Sequence, residues 1–244
     1  MRSLSSSELL EIWERGQVQT QVQRGIALLA SAYPELNTDE LAKLPIGKRD
    51  SLLLGMRAST FGPRLECLAT CPRCSERLEL ALDVQDVMAA EAEQTEMLSI
   101  NEAGFEVRFR QPNSLDLVAI GDLRDLAAIR QLLIERCLVE AVRMSGEISL
   151  DKLPAEVTDA MVKRMAEADP QADVQLALSC PACGHEWLSA FDILSFFWDE
   201  INVLSRRLLH DVHVLARAYC WSEAEILNMS PWRRQAYLDL VASQ

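Results

Sequence analysis

Two short motifs in this chain of 244 residues carry side chains that bind soft metal ions. Cys71 and Cys74 belong to a CPRC motif, and Cys180 and Cys183 belong to a CPAC motif. A CPxC turn between two strands directs two sulfur atoms and several backbone N–H groups toward one point. Two such turns can therefore complete a tetrahedral site for zinc. The sequence predicts one structural zinc ion bound by these four cysteines.

The segments around the two motifs repeat one another. A shift of 109 positions places Cys71 on Cys180 and Cys74 on Cys183. The flanking hydrophobic positions coincide as well: Leu78 with Trp187, Leu82 with Phe191 and Val84 with Ile193. One CxxC pair is weak evidence for a metal site, whereas two pairs with matching flanks are strong evidence. Four sulfur ligands leave no open coordination position for water, so we interpret the site as structural and not catalytic.

Other interpretations of the paired cysteines stay open. Buried free thiols would need no metal, although packing alone gives little reason for a proline-containing cysteine pair to occur twice. A thioredoxin-like oxidoreductase would place its CxxC at the start of a helix after a buried parallel strand, whereas strand-like alternation follows both pairs here. His185 follows the second pair and could compete for the metal, but four sulfurs already complete the ligand set.

The remaining cysteines and histidines do not suggest a second site. Cys67, Cys137 and Cys220 lie among apolar residues and are predicted to be core positions, because free cysteine behaves as a small hydrophobic residue. His210 and His213 share one helical face without an HExxH pattern, which predicts solvated or capping residues. The sequence contains no glycine-rich phosphate loop and no GxSxG elbow. We therefore predict that the protein is not an enzyme and has no small-molecule substrate.

Charge and hydropathy exclude several classes of protein. The formal net charge is -13, and residues 71–190 carry 11 Lys/Arg against 22 Asp/Glu. Such a surface is unsuited to neutralising phosphates, so nucleic acid is not an expected partner. No segment approaches the roughly 18 apolar residues of a membrane span, and the opening segment is too charged for a signal peptide. With seven cysteines, an odd number, these features predict a cytoplasmic protein.

The elements that must position the cysteines follow from the spacing of apolar residues. Strand-like alternation flanks both cysteine motifs, and a further hairpin is predicted with its turn at residues 101–104. Helical spacing predicts short helices in residues 1–62, and longer helices over residues 114–143, 155–168 and 194–219 with two short helices after them. The predicted fold class is α+β: mostly helical, with a zinc ribbon formed by two distant CPxC knuckles and a small antiparallel β insertion. The predicted division is a helical lobe at residues 1–62, the knuckles with their α+β insertion at 63–193, and a helical arm at 194–244.

Aromatic residues concentrate near the C-terminus. Nine of the 14 lie between Trp187 and the end of the chain. Core packing would explain most of them, but aromatic and arginine side chains are also enriched at protein interfaces. The residues predicted to contact a partner are Trp198, Tyr219, Trp221, Trp232, Arg233, Arg234 and Tyr237.

Two stretches resemble a known family. They are IGKRDSLLLGMRASTFGPRLECLATCPRC at residues 46–74 and DEINVLSRRLLHDVHVLARAYCWSEAEILNMSPWRRQAYLDLV at residues 199–241. They are similar to the baseplate hub assembly chaperone family of T-even phages, in the version found beside genes for phage-tail-like contractile injection systems. The most specific matches are Tyr219, Trp221, Ile226, Leu227, Arg233, Arg234 and Tyr237. The CPxC knuckles are not shared by all phage members of that family.

The resemblance implies a function through protein–protein contacts. The protein would be an assembly chaperone for the baseplate, or a permanent component of it, with baseplate or hub proteins as its partners. A different class, a zinc-ribbon nucleic-acid or transcription adaptor, fits the weak helix-turn-helix character of SEAEILNMSPWRRQAYL at residues 222–238. The acidic charge argues against that alternative.

Overall fold

The computed structural model describes residues 4–89, 97–143, 146–147 and 153–243 and shows the predicted α+β fold. The helices are α1 (Ser6–Gly16), α2 (Gln21–Ala32), α3 (Thr38–Lys43), α4 (Ile46–Phe61), α5 (Val84–Val87), α6 (Ser114–Ile120), α7 (Leu126–Cys137), α8 (Ala155–Ala168), α9 (Ile193–Tyr219), α10 (Glu223–Leu227) and α11 (Pro231–Ala242). The strands are β1 (Arg64–Thr70), β2 (Arg77–Asp83), β3 (Leu98–Glu102), β4 (Phe105–Phe109), β5 (Leu138–Arg143), β6 (Gly146–Glu147), β7 (Gln175–Ser179) and β8 (Glu186–Ala190). None of these helices is both long and apolar enough to cross a membrane.

The chain forms two compact units. A terminal unit combines α1 and α2 with α9, α10 and α11, and a central unit contains Glu35–Asp192. The three-part division predicted from the sequence stays a prediction. In the structure, α3 and α4 belong to the central unit and not with α1 and α2.

The terminal unit is organised around the 27-residue helix α9. Its apolar residues recur every three or four positions, so they form one stripe that packs against the shorter helices. Leu208 of α9 is buried with Leu10 of α1 and Leu227 of α10. Gly16 ends α1 against the ring of Trp198, where an added Cβ would lie 2.1 Å from the indole. A side chain at position 16 would therefore displace Trp198 from its buried position.

The central unit contains an antiparallel sheet with the strand order β3-β4-β5-β6. The predicted hairpin is confirmed, but its turn is shorter than the predicted 101–104: β3 and β4 pair as far as Glu102 opposite Phe105, so only Ala103 and Gly104 form the turn. One face of the sheet is covered by helices, and the buried core includes Val107 and Phe109 of β4 and Met161 of α8. The prediction of helix 155–168 is confirmed by α8.

The prediction of one helix over residues 114–143 is wrong. Helix α6 ends at Ile120, and Gly121 follows with a φ of 51°, a left-handed conformation that glycine adopts without steric cost. Helix α7 ends at Cys137, and residues 138–143 form β5, which pairs with β4. The apolar residues in segment 138–143 are compatible with a helix or a strand. The segment forms a strand because it can hydrogen-bond to the edge of β4.

An ion network joins α6 and α7 to the end of β4. The Asp116 carboxylate is fully buried and accepts hydrogen bonds from Arg110 Nη1 at 2.6 Å, Arg110 Nη2 at 2.8 Å and Arg136 Nε at 2.8 Å. The backbone N–H of Asn113 also donates to it at 2.9 Å. The Asn113 side chain in turn accepts from the N–H of Leu115 and Asp116, which caps α6. The buried charge is therefore both paired and hydrogen-bonded, as a stable buried carboxylate requires.

Candidate metal centre

Two β-hairpins hold the cysteine motifs, as the sequence predicted. Strands β1 and β2 pair from Arg64 opposite Asp83 to Thr70 opposite Arg77, and the CPRC motif follows Thr70. Strands β7 and β8 pair in the same antiparallel manner around the CPAC motif. We call the residues between the strands of each hairpin, 71–76 and 180–185, the first and second knuckle.

The two hairpins bury equivalent faces. Leu78 is buried and Leu80 and Leu82 are half-buried, while Glu79 and Ala81 between them are exposed. The second hairpin shows the same alternation, with Trp187 half-buried between exposed neighbours. Leu78, Leu80 and Trp187 pack in one cluster with the cysteines. The hairpins thus contact each other through the inner faces that the period-two pattern defines.

The four predicted cysteines meet at one point. The sulfur atoms of Cys71, Cys74, Cys180 and Cys183 all lie within 4.8 Å of one another. Two sulfur contacts cross between the knuckles: Cys71 Sγ lies 3.7 Å from Cys183 Sγ, and Cys74 Sγ lies 3.6 Å from Cys180 Sγ. Cys71 and Cys180, the first cysteine of each motif, are 1% exposed. The arrangement is suited to a four-coordinate metal ion.

The two knuckles have the same backbone geometry. In the first, the N–H of Cys71 donates to the carbonyl of Glu76, and the N–H of Ser75 donates to the carbonyl of Cys71. In the second, Cys180 and Gly184 make the corresponding bonds at the same 2.9 Å distances. Ser75 and Gly184 also share a left-handed conformation, with φ of 62° and 66°. The sequence repeat is therefore a structural repeat.

Glycine at position 75 is expected to stabilise the protein, and a side chain at position 184 to destabilise it. Non-glycine residues in the left-handed region are disfavoured by about 1 kcal/mol, and a Cβ on Gly184 would meet no atom within 4 Å. The cost at this position therefore comes from the backbone alone. We expect Ser75→Gly to raise the free energy of unfolding by up to about 1 kcal/mol and Gly184→Ala to lower it by a similar amount. Urea unfolding of both variants measures this, and a change of the same sign in both would contradict it.

Neighbouring groups shift the thiol pKa values in opposite directions. Burial opposes ionisation of Cys71, but hydrogen bonds from the backbone N–H groups of Cys74 and Arg73 lower its pKa to about 7. For Cys74, the backbone N–H of Glu76 favours the thiolate, whereas the contact with Cys183 and burial raise its pKa to about 12. Sulfurs this close resist carrying several negative charges together unless a cation is bound among them.

The remaining cysteines and His185 lie outside the cluster. The candidate ligands that group in the described residues include no histidine, and the His185 ring instead stacks on Trp187 with centroids 6.0 Å apart. Cys137 is buried, as predicted, and its burial raises its pKa to about 11. Cys67 is half-buried. The prediction that Cys220 is a core residue is wrong: it is exposed, because α9 ends at Tyr219 and Cys220 turns away with a φ of 54°.

The sequence matches one family model over most of its length. The family is described as T4 bacteriophage base plate protein, and the match covers residues 6–198, which include all four clustered cysteines. The chain belongs to this baseplate family. No curated protein and no solved structure matches it. The first of the two stretches that resemble phage baseplate proteins, residues 46–74, lies inside the match, and the second, residues 199–241, lies entirely beyond it.

The predicted partner-binding residues of this baseplate-family chain divide into two groups. Tyr219, Trp221 and Tyr237 form an aromatic cluster, with the Tyr219 and Trp221 rings stacked at 4.5 Å and Tyr237 edge-on to Trp221 at 4.8 Å. The Arg233 guanidinium lies 5.7 Å from the centre of the Tyr237 ring. Trp232 is 83% exposed, which is unusual for tryptophan.

The second group is buried. Trp198 is 8% exposed and stacks under the guanidinium of Arg24, whose carbon lies 4.4 Å from the ring. Arg234 is 5% exposed and donates from Nε to Asp211 at 3.1 Å. These contacts hold the terminal unit together and leave the two side chains little surface for a partner. Partner binding by the other five residues stays a prediction.

Proposed function

We propose that the four clustered cysteines bind one structural zinc ion. With Zn–S bonds of about 2.3 Å, the sulfurs of a tetrahedral site lie about 3.8 Å apart. Two sulfur pairs across the knuckles, at 3.7 and 3.6 Å, are near this value, and all four sulfurs lie within 4.8 Å of one another. Thiolate ligands favour zinc over harder ions such as magnesium or calcium. The donor set and the spacing therefore both support zinc.

The charge of the proposed site is partly balanced by the knuckles themselves. Four thiolates around Zn²⁺ carry about -2, and backbone N–H groups aimed at the sulfurs offset such charge. In the first knuckle, the N–H groups of Arg73 and Cys74 point at Cys71. Arg77, at the start of β2, adds a positive side chain nearby in sequence. Four sulfur ligands leave no position for a reactive water, so the ion would stabilise structure and not catalyse a reaction.

The function that best fits this chain is non-enzymatic assembly of a baseplate. The family match over residues 6–198 carries this proposal. The chain would act in the cytoplasm as an assembly chaperone for the baseplate of a phage-tail-like contractile injection system, through contacts with baseplate or hub proteins. The acidic middle of the chain would cover a partner's surface before assembly, as complementary charge favours specific association. A permanent place in the baseplate is the close variant of this proposal.

Loss of the protein is expected to prevent formation of contractile particles with complete baseplates. Cells that produce the particles would be examined by electron microscopy after deletion of the gene, with complementation by the wild-type chain. A chain with Cys71→Ser and Cys180→Ser should fail to complement, because the hairpins lose their shared ion. The matched control Cys220→Ser, which changes an exposed cysteine outside the cluster, should restore particles.

The protein composition of purified particles distinguishes the assembly chaperone from the permanent baseplate component. A chaperone should be missing from fully assembled particles, whereas a permanent component should be retained in a fixed ratio to other baseplate subunits. Stoichiometric retention would reject the chaperone role. Normal particles in the deletion strain would reject the baseplate role altogether.

A further inference from the structure

The long helix α9 carries a line of exposed basic side chains. Arg206, His210, His213 and Arg217 follow one another at spacings of four, three and four residues, and all four are exposed. At 100° per residue they lie within about 60° of one another around the helix, and they extend over about 16 Å. We call these four residues the basic stripe.

No exposed carboxylate interrupts this part of the helix. Asp211 is the one acidic residue between Val203 and Tyr219, and it is 6% exposed with its charge paired to Arg234. Asp199 lies on the same line toward the N-terminus, before the stripe begins. Beyond the stripe, the Glu225 carboxylate accepts hydrogen bonds from the N–H and hydroxyl of Ser222 at the start of α10. The stripe is thus a run of basic side chains, uninterrupted by exposed acidic residues of α9, on a chain with a net charge of -13.

Apolar side chains flank the stripe. Val203 is 70% exposed and Leu209 is 39% exposed, and the helical spacing places one on each side of the line. Exposed apolar groups beside aligned charges are typical of surfaces that bind a partner helix, where the apolar residues add buried area and the charges set partner choice. The spacing of four, three and four is that of a helix–helix seam.

We propose that the basic stripe of α9 binds an acidic helix of a partner protein, with carboxylates at matching spacings of four, three and four residues. Arginine forms two parallel hydrogen bonds with a carboxylate, and each imidazole supplies an N–H donor. Nucleic acid fits less well, because two arginines and two histidines neutralise few phosphates and the remainder of the chain is acidic. This inference deepens the proposed function, since it names the chemistry of the baseplate partner. The stripe itself lies outside the residues that match the family.

Two synthetic peptides would test this proposal on the purified full chain. The first is an alanine-rich helix of about 21 residues, long enough to be helical on its own, with four glutamates at spacings of four, three and four. The second has the same composition with the glutamates five residues apart, which scatters them around the helix. Fluorescence anisotropy at low salt should show roughly tenfold tighter binding of the first peptide, because only the first aligns its carboxylates with the stripe.

Charge reversal on α9, compared with the same charge reversal elsewhere on the chain, tests whether the stripe is the binding surface. The double variant Arg206→Glu and Arg217→Glu should lower the affinity for the first peptide by roughly tenfold or more. The control double variant Arg64→Glu and Arg124→Glu, which makes the same change in net charge at exposed positions outside α9, should change it by less than about twofold, since net charge alone does not align carboxylates with the stripe. Circular dichroism would confirm that both variants remain folded.

Four outcomes would overturn the proposal. Two concern the peptides: equal binding of both peptides, or equal weakening of binding by both double variants. The third is that the chain binds a DNA duplex more tightly than the first peptide and that Arg206→Glu with Arg217→Glu abolishes this binding. The fourth is that the chain self-associates and that the same double variant abolishes the self-association. The last would assign the stripe to a second copy of this chain. None of these measurements involves particle assembly, so a negative result here is distinct from failure of the baseplate role.

Discussion

Serine in place of Cys71 or Cys180 is expected to abolish zinc binding and to unfold the two knuckle hairpins. A two-stranded hairpin is marginal by itself in water, so under this proposal the hairpins β1–β2 and β7–β8 would depend on a shared zinc ion together with the small hydrophobic cluster that they form. Structural zinc contributes on the order of 10 to 16 kcal/mol in small peptides, comparable with the stability of a whole domain. Elemental analysis of protein purified without added metal should find one zinc per wild-type chain and almost none in either variant.

Cys220→Ser is the control for this measurement, because Cys220 is exposed and lies outside the cluster. It should retain one zinc per chain and the wild-type thermal transition. A wild-type chain without zinc, whose unfolding is indifferent to chelators, would contradict the prediction and favour the free-thiol interpretation. A reversible dithiol–disulfide couple that persists when zinc is supplied would favour an oxidoreductase instead.

Asp116→Asn is expected to lower the free energy of unfolding by about 3 kcal/mol. The substitution preserves the shape of the side chain but leaves Arg110 and Arg136 without their carboxylate, and breaking a buried pair typically costs about 3 to 5 kcal/mol. The lower end applies because the arginine side chains are 30% and 37% exposed. Asp122→Asn, at an exposed position just after α6, is the control and should change stability by less than about 0.5 kcal/mol. Urea unfolding at neutral pH measures both.

The same carboxylate gives stability a defined dependence on pH. Burial alone would raise the pKa of Asp116, but the hydrogen bonds from Arg110, the N–H of Asn113 and Arg136 hold it below its usual value. The folded protein therefore binds this proton less tightly than the unfolded chain, whose aspartates titrate near about 4. The stabilisation is present above that pH and is lost as the pH falls through the folded pKa. The difference in stability between wild type and Asp116→Asn should accordingly shrink in acid, and a difference that stays constant would contradict this account.

Local patterns predicted the elements of the candidate site well. The alternation of Leu78, Leu80 and Leu82 with polar or small residues predicted β2 correctly, because one face of a hairpin is buried and the side chains alternate between faces. The long periodic segment likewise predicted α9, whose apolar stripe is buried against the shorter helices. The 109-residue repeat predicted that both cysteine pairs belong to equivalent turns. The structure confirms that the two turns are equivalent, since Ser75 and Gly184 occupy the same position in each turn and both have a left-handed backbone conformation.

Prediction failed where the neighbours of a segment decide its structure. Residues 138–143 form β5 because they pair with β4, a contact with a segment about 30 residues earlier that apolar spacing does not reveal. The Asn-x-x-Asp spacing at the start of α6 is a visible capping signal, but nothing near it in sequence predicts that Arg110 and Arg136 converge on Asp116. The aromatic residues near the C-terminus were similarly ambiguous, since burial of Trp198 against Gly16 depends on the packing of α1 on α9.

The sequence by itself determined the four candidate cysteine ligands, the two knuckles and the α+β class, because these depend on residue chemistry and on spacings within a few residues. The baseplate family also follows from the sequence. Only the tertiary structure decided that Cys71 lies next to Cys183 and Cys74 next to Cys180, that Asp116 is buried between two arginines, and that the exposed charges on α9 after Val203 are all basic. Each of these depends on which surfaces are buried when segments distant in the chain pack together, and burial is a property of the whole fold.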